Sequence, residues 1–162
     1  MKKNERLILL LNLILLLLYF NYSVIKKESL LKGGQLVLLE LAPVDPRSLM
    51  QGDYMALRYK ISENTNRDNL SKRGYCVVGI DTNGVAERIR FQKDSSPLYV
   101  GEHLIEYTLL GGWSINIGAE SFFFQEGQAK KYANAKYGGI KIDKKGNSLL
   151  IGLYDEQQRK IE

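Results

Sequence analysis

Few side chains in this sequence of 162 residues are of types that do chemistry, and their spacing limits what they could do. Ser48 stands shortly before Asp53, and Glu120 and Glu126 bracket the aromatic run Phe122-Phe123-Phe124. A serine nucleophile needs an adjacent base, and two carboxylates near a turn could share proton transfer or hold a cation. A hydrolase with a Ser or carboxylate site near Ser48, Asp53 and Glu126 is therefore one reading. No lysine is placed to activate Ser48, which is better explained as a polar residue of a first helical turn. Glu126 precedes an expected helix start, where a carboxylate complements the positive end of the dipole. The chain has one His and one Cys, so neither His103 nor Cys76 completes a metal set, and no metal or cofactor is expected. Cys76 lies in the apolar run Tyr75-Cys76-Val77-Val78 and is expected as a buried thiol. His103 is expected at a surface or interface.

A second group of residues suits recognition better than catalysis. From Asp53 to Ile61 the chain alternates, with Tyr54, Ala56 and Arg58 on one strand face and Met55, Leu57 and Tyr59 on the other. Leu57 and Tyr59 are expected inside, Gly52 to permit a tight turn, and Asp53 to accept backbone hydrogen bonds. Tyr54 and Arg58 would then face outward, Arg58 suited to a carboxylate or an anionic headgroup. Phe123, alternating with Phe122 and Phe124, is expected as an exposed protein contact. The candidate binding surface is thus Tyr54, Arg58, Phe123, Glu120 and Glu126, with no residue assigned as catalytic.

The elements that must position these groups are mostly short strands. Residues 35 to 42 form a β-rich apolar run after Gly33-Gly34. Asp45 as N-cap, Pro46 at the first helical position and Gly52 as a left-handed stop predict a single helical turn. Ser62 to Arg73 is polar and without periodicity, an exposed excursion poor in core. Residues 74–80 and 85–91 flank Asp81-Thr82-Asn83-Gly84, a hairpin turn signal. Two further pairs are expected, His103–Leu110 with Trp113–Gly118 around Gly111-Gly112, and Ile140–Ile142 with Leu149–Leu153 around Asp143 to Asn147. One short helix follows Gly127, with Ala129, Tyr132 and Ala133 at helical spacing and Gly138-Gly139 as its stop. The expected fold is mainly β: a single transmembrane helix, then a barrel-like or strongly bent antiparallel domain with one short helix.

The transmembrane expectation rests on the N-terminus. Lys2, Lys3 and Arg6 precede Leu7 to Phe20, apolar except for Asn12 and Tyr19. Carried on to Ile25, a helix of that run is about 28 Å long, just enough for a hydrocarbon core of about 30 Å. No small-residue cleavage site follows, so the segment reads as an uncleaved signal anchor. The basic N-terminus favours that end inside, although Lys26, Lys27 and Lys32 nearly balance it. Asn12 could be a tolerated polar residue or bond a second membrane helix. This divides the chain into 1–33, a cytoplasmic tip with the anchor and its extension, and 34–162, a periplasmic β-rich domain.

The string Gly52-Asp53-Tyr54-Met55-Ala56-Leu57-Arg58-Tyr59 resembles, at all five fixed letters, the signature of the membrane-anchored GDYXXLXY family. The resemblance extends upstream through Pro43-Val44-Asp45-Pro46-Arg47 and downstream through Gly118 to Gly127. It implies a single-pass bacterial inner-membrane protein with a periplasmic domain, often encoded beside polytopic membrane proteins. Arg58 falls at an unfixed letter of the signature. In outline the chain is also similar to the Ser/Lys signal peptidases, but Val44, between Pro43 and Asp45, occupies the place of their nucleophile.

Composition narrows the function classes further. The formal net charge is +5 and the mean hydropathy −0.23, yet beyond the anchor acids and bases nearly balance and no basic cluster interleaves with aromatics. Nucleic-acid binding is not expected. The sequence reads as a non-catalytic, membrane-anchored envelope protein, an accessory subunit binding another, polytopic inner-membrane protein. The alternatives are the hydrolase, membrane-anchored, and a solute- or lipid-binding barrel; whether any small-molecule ligand exists is left open.

Overall fold

The computed structural model describes residues 3–42, 50–51, 54–63, 70–110 and 114–162. Helix α1, Lys3–Gly33, is a single run of 31 residues, about 46 Å long at about 1.5 Å per residue. Its stretch Arg6–Gly33 is long and apolar enough to cross a membrane, and its most apolar window, of mean hydropathy 2.2, buries nothing in the protein; nearer the domain Leu30 is buried. Asn12 and Asn21 donate their amides to the carbonyls of Ile8 and Leu17 one turn back, at 3.1 and 2.8 Å. That local bond satisfies one of the two amide hydrogens of Asn12 within its own helix. The helix ends as expected at the diglycine, where the Gly34 amide donates to the Leu30 carbonyl at 2.8 Å.

Among the described residues ten strands follow: β1 Gln35–Glu40, β2 Met50–Gln51, β3 Tyr54–Ala56, β4 Arg73–Ile80, β5 Ala86–Gln92, β6 Glu102–Leu110, β7 Ser114–Asn116, β8 Ser121–Phe123, β9 Tyr137–Ile142 and β10 Ser148–Tyr154. They form three antiparallel sheets, ordered β1-β9-β10, β2-β3-β8 and β5-β4-β6-β7. Single bridges join the sheets, Leu38 with Val85 and Leu41 with Tyr59. The domain is therefore bent around one core, but among the described residues no barrel closes.

The hairpins form where turn chemistry predicted them. Asp81 accepts the amides of Asn83 and Val85, each at 2.8 Å, and Gly84 has φ +81°. Asp143 repeats the device with Lys145 and Asn147, both at 2.9 Å. The core gathers Val37, Leu39, Met55, Cys76, Val78, Ile105, Tyr107, Ile140 and Leu153 from all three sheets, with Leu57 and Tyr59 from the segment after β3.

Several expectations are corrected. The helical turn ending at Gly52 does not reach its last residues, because Met50 and Gln51 pair as a strand with Met55 and Tyr54; its other residues, 43–49, lie outside those described. The strand expected from Asp53 to Ile61 is shorter: β3 ends at Ala56, a single bridge follows at Tyr59, and Lys60–Ser62 turn as a 3-10 helix that buries Ile61. In the polar excursion that follows, Leu70 packs against the core. Helix α2 is one turn only, Ala129–Tyr132. Gly138 and Gly139, expected as its stop, are instead central residues of β9. The reason is close approach: a Cβ on Gly138 would meet the Tyr59 ring at 2.8 Å, and one on Gly139 would meet the Tyr154 ring at 2.2 Å.

Candidate functional site

The sheet β2-β3-β8 assembles part of the expected surface. Tyr54 pairs with Phe123, Met55 with Phe122 and Ala56 with Ser121, so cross-strand partners share a face. Met55 and Leu57 are buried on the inner side, where Phe122 stacks edge-on against the buried Tyr132 at 4.9 Å between ring centres. On the outer side stand Tyr54, Ala56, Arg58, Ser121 and Phe123. Phe123 is 73% exposed, and its ring leans on Tyr54 with centroids 5.8 Å apart. Arg58 is exposed, and its guanidinium has no partner among the described residues.

The inner half of the signature is held to one turn of the chain. The Tyr59 hydroxyl donates to the Ala119 carbonyl at 2.6 Å, and the Leu57 amide donates to the Glu120 carbonyl at 2.8 Å. Gly118 supplies the positive φ, +80°, that the turn needs. The half-buried Glu120 carboxylate closes the turn by accepting the amides of Ile117 at 2.5 Å and Ala119 at 2.9 Å. Burial pushes the Glu120 carboxyl above its ordinary range while those amides oppose the shift. Burial also pushes the Tyr59 phenol far up, with the Glu120 charge adding to it. Leu57, Tyr59 and residues 118–120 thus act as one structural unit, and both oxygens of Glu120 point into the fold.

The remaining sequence candidates are dispersed. Glu126 is exposed and lies outside α2, which begins after Gln128 and has no acidic residue in its first turn. The expected pairing of Glu126 with that helix dipole is therefore not made; the helix is a single turn. Ser48, Gly52 and Asp53 lie outside the described residues, and with them the expected turn at Gly52, the hydrogen bonds of Asp53 and the Ser48 site. Cys76 is fully buried in β4, its thiol pushed up to about 12 by desolvation. His103 sits half-buried in β6 opposite Val78. Among the described residues no three His, Cys, Asp or Glu converge on a point.

Other charged groups are committed to holding the fold. Glu40 accepts Lys60 at 2.9 Å and Lys136 at 3.1 Å, which holds its carboxyl below the usual range. Arg88 donates to the Ile61 and Glu63 carbonyls beside a groove of about 270 Å³. Sequence reading missed a braced loop after β5. There Arg90 grips Glu102 and the Pro97 carbonyl, the Tyr99 amide donates to Glu102 at 2.9 Å, and Leu98, Tyr99 and Val100 are left exposed. Its signal was an apolar run set between Pro97 and Gly101.

Helix, sheets and signature unit together define a class of protein: a β-rich head on one long apolar helix. The model of the GDYXXLXY protein family matches residues 16–153, and the chain belongs to that family. No curated protein and no solved structure matches it.

Proposed function

We propose that the chain is a non-catalytic accessory subunit of the bacterial envelope, anchored in the inner membrane by α1 with its β domain in the periplasm. It binds a polytopic inner-membrane protein through the anchor and the outer face of β3 and β8 together. The observation that carries this reading is Phe123, a large aromatic side chain 73% exposed and backed by Tyr54 on a two-strand face. Such a pair is already ordered, so an interface that covers it loses little side-chain freedom. Arg58, next but one along that face from Ala56, supplies a cation for a polar rim.

Changing Tyr54 or Phe123 to Ala should leave the fold intact and reduce recovery of the membrane partner. The expected loss is roughly thirtyfold in affinity, from about 2 kcal/mol per aromatic hot spot. Ser48→Ala and Glu126→Gln should leave recovery unchanged. If those two replacements abolish the cellular phenotype while partner recovery and folding persist, the docking account fails and a hydrolytic one replaces it. Topology reporters fused after Gly34 test the orientation, which active cytoplasm-only reporters would reverse.

A further inference from the structure

A second surface lies where the anchor meets the β domain. Tyr22, Ile25, Lys26, Ser29, Leu30 and Gly33 recur at helical spacing and form one stripe of α1. The β9–β10 turn lies beside that stripe, and the groove between them has a volume of about 520 Å³, within the usual range of small-ligand clefts. Lys144 and Lys145 sit exposed at the tip of the turn. Asp143 also lines the groove, but its carboxylate is spent on the Lys145 and Asn147 amides and on the Asn147 side chain at 2.7 Å. The Lys141 ammonium is spent on the Gly34 carbonyl at 2.7 Å, and Lys32 on Glu28 at 2.6 Å. Lys26, Lys144 and Lys145 have no side-chain partner among the described residues, leaving the groove with a net positive charge.

Depth in the membrane says what this charge faces. The apolar run Leu7 to Ile25 matches a hydrocarbon core of about 30 Å, so a bilayer that holds it has its boundary near Lys26. The turn that carries Lys144 and Lys145 reaches down to that level, because Tyr22 and Ile25 line the same groove. Along the groove the lining therefore changes from apolar to cationic over the depth at which a phospholipid changes from acyl-glycerol to phosphate. An acidic protein segment would match the lysines but not Tyr22 and Ile25.

We propose that this groove binds the headgroup of an anionic phospholipid, its phosphate between Lys26 and the Lys144-Lys145 tip and its glycerol end against Tyr22 and Ile25. The site holds the domain at a fixed height on the bilayer and does not depend on the aromatic face. Lysines near an anionic surface contribute about 1 kcal/mol each, about fivefold in affinity.

The test uses the full chain in detergent micelles with equimolar phosphatidylglycerol and phosphatidylcholine, the retained lipid being counted by native mass spectrometry. Phosphatidylglycerol should be retained preferentially, and Lys144→Gln with Lys145→Gln should cut that retention about 25-fold, from about fivefold per lysine. Lys26→Gln should cut it about fivefold, and this variant decides the matter if the double variant does not fold. Lys72→Gln with Lys93→Gln, equal in charge but away from the groove, should change nothing. Equal retention of the two lipids, an equal loss in that control pair, or unchanged retention in a folded groove variant would overturn the proposal. Displacement of the lipid by inorganic phosphate alone would also overturn it, since the site would then read a free anion.

Discussion

Tyr59→Phe removes one oxygen atom and tests whether the last letter of the signature is a structural lock. The lost bond is the 2.6 Å donation to the Ala119 carbonyl, made by a side chain only 1% exposed. Phenylalanine fills the same space, so packing is preserved and the cost is that of an orphaned buried carbonyl, about 1–3 kcal/mol. Cys76 provides the assay. The only cysteine in the chain, it is fully buried and its thiol is held in the unreactive protonated form, so a thiol reagent modifies it chiefly after unfolding. Where refolding outpaces modification, the labelling rate follows the unfolded population. The expected acceleration is thus roughly 5- to 150-fold, from about 1–3 kcal/mol. Tyr99→Phe, at an exposed ring, serves as the control and should label at the parent rate. A Tyr59→Phe rate within twofold of the parent would refute the lock and leave the signature tyrosine with packing alone.

Two further outcomes follow from the same geometry. Gly139→Ala should destabilise severely, because its Cβ would lie 2.2 Å from the buried Tyr154 ring; Cys76 labelling should rise sharply and fall back in part when Tyr154→Leu is added. Carboxyl NMR titrations should place Glu40 and Glu102 below the ordinary range and Glu120 above it, since the first two are held ionised by cations and the third is desolvated. The lowered pair adds stability that is complete above about pH 4.5 and fades as pH falls through their native values. The raised Glu120 acts in the opposite sense, its contribution being complete below about pH 4.5 and lost as pH rises through its native value. A reversed order of midpoints would contradict the assigned bonds.

Much of this architecture is legible because it is local. An apolar run with no breaker specifies α1, and Asp with Gly at turn positions specifies the β4–β5 and β9–β10 hairpins before any contact is known. Alternation likewise separates Met55, Leu57 and Tyr59 from Tyr54, Ala56 and Arg58, and the burial pattern follows it. What escapes is set by partners distant in sequence. Gly138-Gly139 has the look of a helix stop, yet those residues are small because Tyr59 and Tyr154 need the room. Glu120 has the look of a site carboxylate, yet the turn it closes is fixed by Tyr59, 60 residues away from Ala119. The pairing of Tyr54 with Phe123 is equally invisible, although alternation turns each residue outward on its own strand.

Photocrosslinking in the native membrane addresses the docking account most directly. A photoreactive phenylalanine at position 123 of the full chain should yield a discrete adduct with an integral membrane protein, and the Tyr54→Ala change should weaken that adduct. The same probe at Glu87, exposed on β5 in a different sheet, should yield none. No adduct from position 123, or the same adduct from both positions, would contradict a docking role for the Tyr54–Phe123 face.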